Sequence, residues 1–211
     1  MNKIQIFYHM YCINDCYERF NNTFNKIVLS GLIEHIDRIN VILVGPEKEN
    51  LKNKIKDFSK VSVFVKHNNN TEAETLHMIW NYSQTNSGYV LYLHSKGVTR
   101  PENECMHDWK NLMEYFLIEK FNLCLNELKK HDVCGVNFLS EKTKPHFSGN
   151  FWWSSTEHIK KLKDIKPDIN NRLYCEFWLF DTDKKITHKE IYGSKIDHYG
   201  SRYPRQIYAI E

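Results

Sequence analysis

The sequence predicts an α/β protein, a mostly parallel central sheet flanked by helices, with a more irregular C-terminal half. Two observations carry that prediction. Short runs of β-branched and aromatic residues alternate with helical segments of ten or more residues, which implies right-handed βαβ crossovers. One such run, Tyr89-Val90-Leu91-Tyr92-Leu93, breaks without a spacer into His94-Ser95-Lys96-Gly97. Polar groups at the end of a buried strand are what the carboxyl edge of a parallel sheet presents to a ligand.

In order, Lys3 to Tyr8 reads as a first strand. Phe20 to Ile36 is a helix, with Phe24, Ile27, Val28, Leu32 and Ile36 at helical spacing. Arg38 to Val44 is a second strand closed by Gly45-Pro46, Glu49 to Phe58 a polar helix, and Val61 to Lys66 a third strand. Asn68, Asn69, Asn70 and Thr71 offer capping oxygens to a helix from about Glu72 to Gln84. After the fourth strand come a long helix from Cys105 to Lys130, a short strand from Asp132 to Phe138, and the segment HFSGNFWWSSTEHIKKL. A helix around Leu173 to Phe180 and the strand-like ITHKEIYG complete the chain. No repeat or linker divides it. It reads as one domain over residues 1–211 in two halves, a βα half at 1–97 and a more irregular half at 98–211.

With 211 residues the chain is long enough to bury a sizeable core. A formal charge of +3, with lysines mixed among acids, leaves no basic face for nucleic acid. No apolar segment approaches the ~20 residues of a transmembrane helix. The N-terminal apolar run is interrupted by His9 and lacks a small-residue cleavage site, so no secretory signal is expected. Cys12, Cys16, Cys105, Cys124, Cys134 and Cys175 form no CxxC pair and fit free thiols in a cytoplasmic protein.

Three strand-helix units followed by a fourth strand ending in short-spaced polar residues resemble the GT-A fold (Rossmann-like) of nucleotide-sugar glycosyltransferases. That fold commonly ends its fourth strand in Asp-x-Asp, which holds a divalent metal against the donor diphosphate. Here the place reads His94-Ser95-Lys96. It is similar to divergent bacterial polysaccharide and large-virus glycosyltransferases with Leu-His-x-Lys at that point. Glu72-x-x-Thr75-Leu76 and Ser148-Gly149-Asn150-Phe151-Trp152-Trp153 extend the resemblance.

The resemblance implies transfer of a sugar from a nucleotide-diphosphate donor to a glycan or glycoconjugate hydroxyl, with inversion. The Asp-x-Asp departure bears on cofactors. Two carboxylates facing a diphosphate need a cation between them, whereas the Lys96 ammonium supplies positive charge directly and His94 adds a hydrogen bond. No metal is then required. The alternative is a Mn- or Mg-dependent enzyme, with His94, Asp197 and His198 as ligands. Asp181-x-Asp183, far beyond the fourth strand, reads as a solvated turn.

The resemblance lays the nucleotide over the ends of the first and third strands, near Tyr8, His9, Tyr11, Glu72 and Thr75. The tyrosines read equally well as core, and Glu72 as a first-turn acid favoured by the helix dipole. Gly149, Asn150, Trp152 and Trp153 suggest a sugar platform, although at least one of the aromatics belongs to a core. Glu176, alone in the aromatic run LYCEFWLF, matches the acidic base of inverting relatives. Burial would raise its pKa toward the useful range, and pairing with Arg172 is the competing account. Asp108 and Trp109 are candidates for acceptor contact. His198, Tyr199, Arg202, Tyr203 and Arg205 fit a tail closing over a diphosphate, with Arg202 on phosphate, or a frayed terminus. A non-catalytic nucleotide- or glycan-binding protein of the same fold is the second reading. A dinucleotide enzyme is disfavoured because IFYHMYCIND lacks Gly-x-Gly-x-x-Gly.

Overall fold

The computed structural model describes residues 3–66, 71–141, 143–166 and 172–209. Asn68, Asn69 and Asn70, expected to cap a helix, lie outside them, as does the Arg172 side chain. Strands β1 (Lys3–Tyr11), β2 (Arg38–Val44), β3 (Val61–Val65) and β4 (Gly88–His94) alternate with helices α1 (Cys16–Leu29), α2 (Leu32–His35), α3 (Lys48–Ile55) and α4 (Ala73–Thr85). Helix α5 (Glu104–Glu114) runs through a π-helical turn (Tyr115–Glu119) into α6 (Phe121–Glu127). The rest of the chain supplies β5 (Val133–Val136), β6 (Phe138–Leu139), β7 (His146–Phe147), β8 (Trp152–Ser155), α7 (Thr156–Ile159), α8 (Arg172–Phe177) and β9 (His188–Tyr192).

One seven-stranded sheet has the order β3-β2-β1-β4-β8-β5-β9, and β6 pairs with β7 apart from it. β1 pairs in parallel with both β2 and β4, placing His9 opposite His94. β8 alone runs against its neighbours β4 and β5. The sheet thus draws strands from both sides of residue 97.

Period-2 alternation divides the core. On one face Ile6, Tyr8 and Met10 of β1 join Leu91 and Leu93 of β4 against α1 and α5. On the other, Phe7 joins Val90 and Tyr92 against α4, α7 and α8. Burying each large apolar side chain contributes about 1.5–3 kcal/mol.

Two expected helices are broken. Phe20 to Ile36 divides at Gly31, whose φ of 78° is left-handed and so suited to glycine. Cys105 to Lys130 is interrupted by the π-helical turn, where the Leu117 carbonyl accepts a 2.9 Å hydrogen bond from the Trp153 indole. No helix among the described residues is long and apolar enough to cross a membrane.

Candidate functional site

Beyond its carboxyl end, β1 connects toward β2 on one side, while β4 lies on the other. Ligands of open α/β sheets bind at such a divergence. A cleft of about 560 Å³ opens there. His9 and Tyr11 of β1 line it, with Glu72 just before α4 and residues 94–100 following β4. Met106 of α5, Leu173 and Glu176 of α8 and Tyr199 of the tail complete the wall.

The chain beyond β4 is held to β1. The Ser95 amide donates to the His9 carbonyl (2.9 Å), and the Ser95 hydroxyl accepts from the Tyr11 amide (2.9 Å). The Lys96 amide turns back to the His94 carbonyl (2.8 Å), and the Lys96 carbonyl accepts from the buried Arg19 guanidinium (3.1 Å). Gly97 follows at φ 77°, where a Cβ would stand 3.2 Å from that of Met106. The Lys96 side chain is buried, with its ammonium 3.6 Å from the centroid of the Trp109 ring. Trp109 stacks in turn on His198, with centroids 5.3 Å apart and planes at 12°. This attraction of cation to ring face fixes where the ammonium sits.

The opposite wall is a buried polar network. Glu72 occupies the N-cap position of α4 without capping it. Its Oε2 accepts instead from the Tyr92 hydroxyl (2.7 Å) and the Asn150 amide (2.6 Å). Burial opposes ionisation of Glu72, but His94, His9 and these two donors hold its carboxyl below the usual range. His9, with Nδ1 2.9 Å from the Thr75 hydroxyl, is driven down by burial to about 4 and is neutral at pH 7. The hydrogen-bond donors and His94 therefore account for the Glu72 shift better than His9 does. His94 donates through Nε2 to the Gly149 carbonyl (2.9 Å) and meets Phe151 edge to face. Left-handed Gly149 (φ 91°) and Asn150 (φ 55°) form the turn before β8 that makes both contacts.

The structure brings His9, Tyr11, Glu72, His94, Lys96 and Glu176 to one cleft. Thr75, Gly149 and Asn150 stand one contact behind them. Glu176 is half-buried at the cleft wall rather than sunk in the aromatic run.

Several expectations are corrected. Tyr8 lies on the other sheet face, fully buried, with its hydroxyl 3.2 Å from that of Thr23. Trp152 and Trp153 alternate into the two cores, 1% and 0% exposed, so neither offers a ring face to a sugar. Arg202 pairs with Asp108 and Glu104, and the Tyr203 amide donates to Asp108 (3.1 Å). Asp108 and Arg202 thereby dock the tail on α5, outside the cleft lining. Asp197 is exposed and accepts from the Tyr199 amide, whereas His198 is buried beside Trp109. No group of three or more His, Cys, Asp or Glu among the described residues could hold a metal ion, so His94, Asp197 and His198 do not form the alternative metal site.

Ser95, Arg19 and Arg100 escaped the sequence reading as site residues. Ser95 stood inside the motif as a spacer. Arg19 carries no local signal beyond its i,i+4 ion pair with Asp15. Arg100, on the exposed cleft lip, was visible in the sequence only as the end of the loop.

The fold and cleft define an α/β protein with a Rossmann-like, mainly parallel sheet and a polar cleft at its switch point. Residues 7–203 match the model of a family described as "Domain of unknown function (DUF8361)", and the chain belongs to that family. No curated protein matches it. Among solved structures it is similar to 4-diphosphocytidyl-2C-methyl-D-erythritol synthase from Anaerococcus prevotii DSM 20548. Identity is 12%, 90% of this chain and 87% of that one are covered, and the TM-score is 0.49. It is also similar to HddC from Yersinia pseudotuberculosis, at 12% identity, 92% and 91% coverage and a TM-score of 0.47.

Proposed function

We propose that the protein is a glycosyltransferase that moves a sugar from a nucleotide-diphosphate donor to a glycan or glycoconjugate hydroxyl, with inversion and without a metal. The observation that carries this reading is the pairing of a fixed cation, Lys96, with a carboxylate, Glu176, in one cleft at the switch point. The nucleoside lies toward Tyr11, whose ring packs so closely on Gly45 that a Cβ there would come within 2.9 Å of it. The diphosphate lies over Lys96, with Arg100 on the lip as a second cation.

In the transfer step the acceptor hydroxyl oxygen attacks the anomeric carbon opposite the leaving group, and its proton passes to Glu176. The bond from the anomeric carbon to the phosphate oxygen breaks, and its electron pair leaves with the nucleoside diphosphate. Lys96 neutralises the charge that develops on that oxygen, the service a metal ion otherwise supplies.

The test is transfer and donor hydrolysis across a panel of nucleotide sugars in excess EDTA. Lys96→Ala is expected to lower kcat by about 10²–10³-fold, as for loss of one electrostatic stabiliser, with the melting temperature followed alongside. Full activity in a folded Lys96→Ala protein, or activity abolished by EDTA and restored by manganese, overturns the role given to Lys96. Donor binding by the wild-type protein without turnover on any donor and acceptor would instead identify a binding module.

A further inference from the structure

We propose that Glu72 sets the charge class of the transferred sugar: the cleft accepts donors whose sugar is neutral or carries an amino group, and rejects uronic and other acidic sugars. The proposal rests on the glycosyl-transfer reading and deepens it by naming the substrate class.

Three observations lead to it. Glu72 is only 7% exposed, yet it lines the cleft. Both of its side-chain hydrogen bonds, from Tyr92 and Asn150, fall on Oε2. Among the described residues Oε1 accepts none, and it is the atom that Glu72 offers to a ligand. Finally, no lysine or arginine among the described residues forms a salt bridge with Glu72, and its neighbour His9 is neutral.

The cleft is therefore bipolar. Lys96 and Arg100 lie on the segment after β4, while Glu72 and Glu176 lie on the wall made by the starts of α4 and α8. A diphosphate belongs at the cationic end. The sugar, which must reach Glu176, then extends along the carboxylate wall. An open carboxylate oxygen takes hydrogen bonds from sugar hydroxyls or an ammonium, and it repels a second carboxylate with no intervening cation. Burial alone would neutralise Glu72, but His94 and the donors Tyr92 and Asn150 keep its carboxyl below the usual range, so the repulsion persists at neutral pH.

The experiment compares matched donors by calorimetry and by kcat/KM: UDP-glucose, UDP-glucosamine and UDP-glucuronate, and GDP-mannose with GDP-mannuronate. UDP and GDP alone serve as reference ligands. The wild-type protein is expected to prefer the neutral or amino sugar over its uronate on the order of 100-fold, as for an unscreened like-charge contact. Glu72→Gln keeps an oxygen for Tyr92 and Asn150 and turns an amide donor toward the cleft. It is expected to cut that ratio at least tenfold by improving the uronate.

Equal use of the uronate by the wild-type protein overturns the proposal, as does a ratio unchanged in Glu72→Gln. So does a Glu72→Gln effect confined to the choice between UDP and GDP, which would assign the residue to the base. If that variant does not fold, the wild-type comparison decides alone. Charge selection seen in binding without any turnover would support the role of Glu72 while refuting glycosyl transfer.

Discussion

Two buried glutamates on opposite faces of the same sheet divide the molecule into a part that holds it together and a part that waits for a ligand. Glu114 of α5 is fully buried. Its Oε1 accepts from the Thr23 hydroxyl (2.6 Å) and the Lys110 ammonium (2.5 Å), and its Oε2 from Lys26 (2.6 Å). Burial opposes its ionisation, but the two lysines outweigh that and bring its carboxyl to about 2. Among the described residues Glu72 has no such lysine, receives two neutral donors on a single oxygen, and has no donor to the other. A buried charge that serves stability is closed on every side, because any unmatched oxygen there would carry its desolvation cost for nothing. A buried charge left half-matched at a cleft keeps that cost as specificity.

The sharpest way to break this contrast is to remove each network in turn. Glu114→Ala leaves Lys110 buried without its counter-charge and is expected to destabilise the fold by about 3–5 kcal/mol. Urea unfolding measures the loss. Tyr92→Phe removes one donor from the Glu72 carboxylate and keeps the ring that packs on Trp152. It is expected to cost about 1.5–3 kcal/mol, as for a hydrogen bond to a charged group. If Tyr92→Phe proved more costly than Glu114→Ala, the Glu72 network would be structural and the division would fail.

The same contrast shows what the sequence could disclose. The α/β alternation and the polar end of β4 were legible because period and composition are local properties. His94 and Lys96 were legible from their place at the end of β4, whereas His9, Glu72 and Glu176 were joined to them only through the resemblance to GT-A glycosyltransferases. Tyr8 was misplaced because a cluster of tyrosines was read as a group, whereas strand alternation sends Tyr8 to α1 and leaves His9 and Tyr11 facing the cleft. The same alternation claimed Trp152 and Trp153 for the two cores. Arg202 and Asp108 were each expected at the substrate, yet they neutralise one another across 94 positions of chain. Glu114 drew no notice, since Lys110 four residues earlier suggests an ordinary exposed helix pair and Lys26 lies 88 positions away. Long-range pairing is the information that periodicity does not contain.

The two regions should also separate in acid, and here the expected effects are smallest. His9 has an ordinary value of 6.5 and about 4 in the folded protein, because burial disfavours the imidazolium. The unfolded chain therefore takes up the proton first. The stability tied to a neutral His9 is complete above pH 6.5 and is lost progressively as the pH falls to about 4. Glu114 moves from 4.5 to about 2, so its contribution is complete above pH 4.5 and drains away below it. Each group can tilt the curve by at most about 1.4 kcal/mol per pH unit within its own window. His158 and His198, both lowered by burial, add to the upper window, and Glu72 adds to the lower one. Single replacements therefore flatten a window without erasing it. Melting temperature against pH is expected to show a shallower slope between 6.5 and 4 in His9→Asn, and a shallower slope below 4.5 in Glu114→Gln. If His9→Asn left the upper slope unchanged, His9 would take up its proton at the same pH folded as unfolded. Between pH 6.5 and 4 it would then be a counter-ion for Glu72, and the unmatched carboxylate of the cleft would disappear in that window.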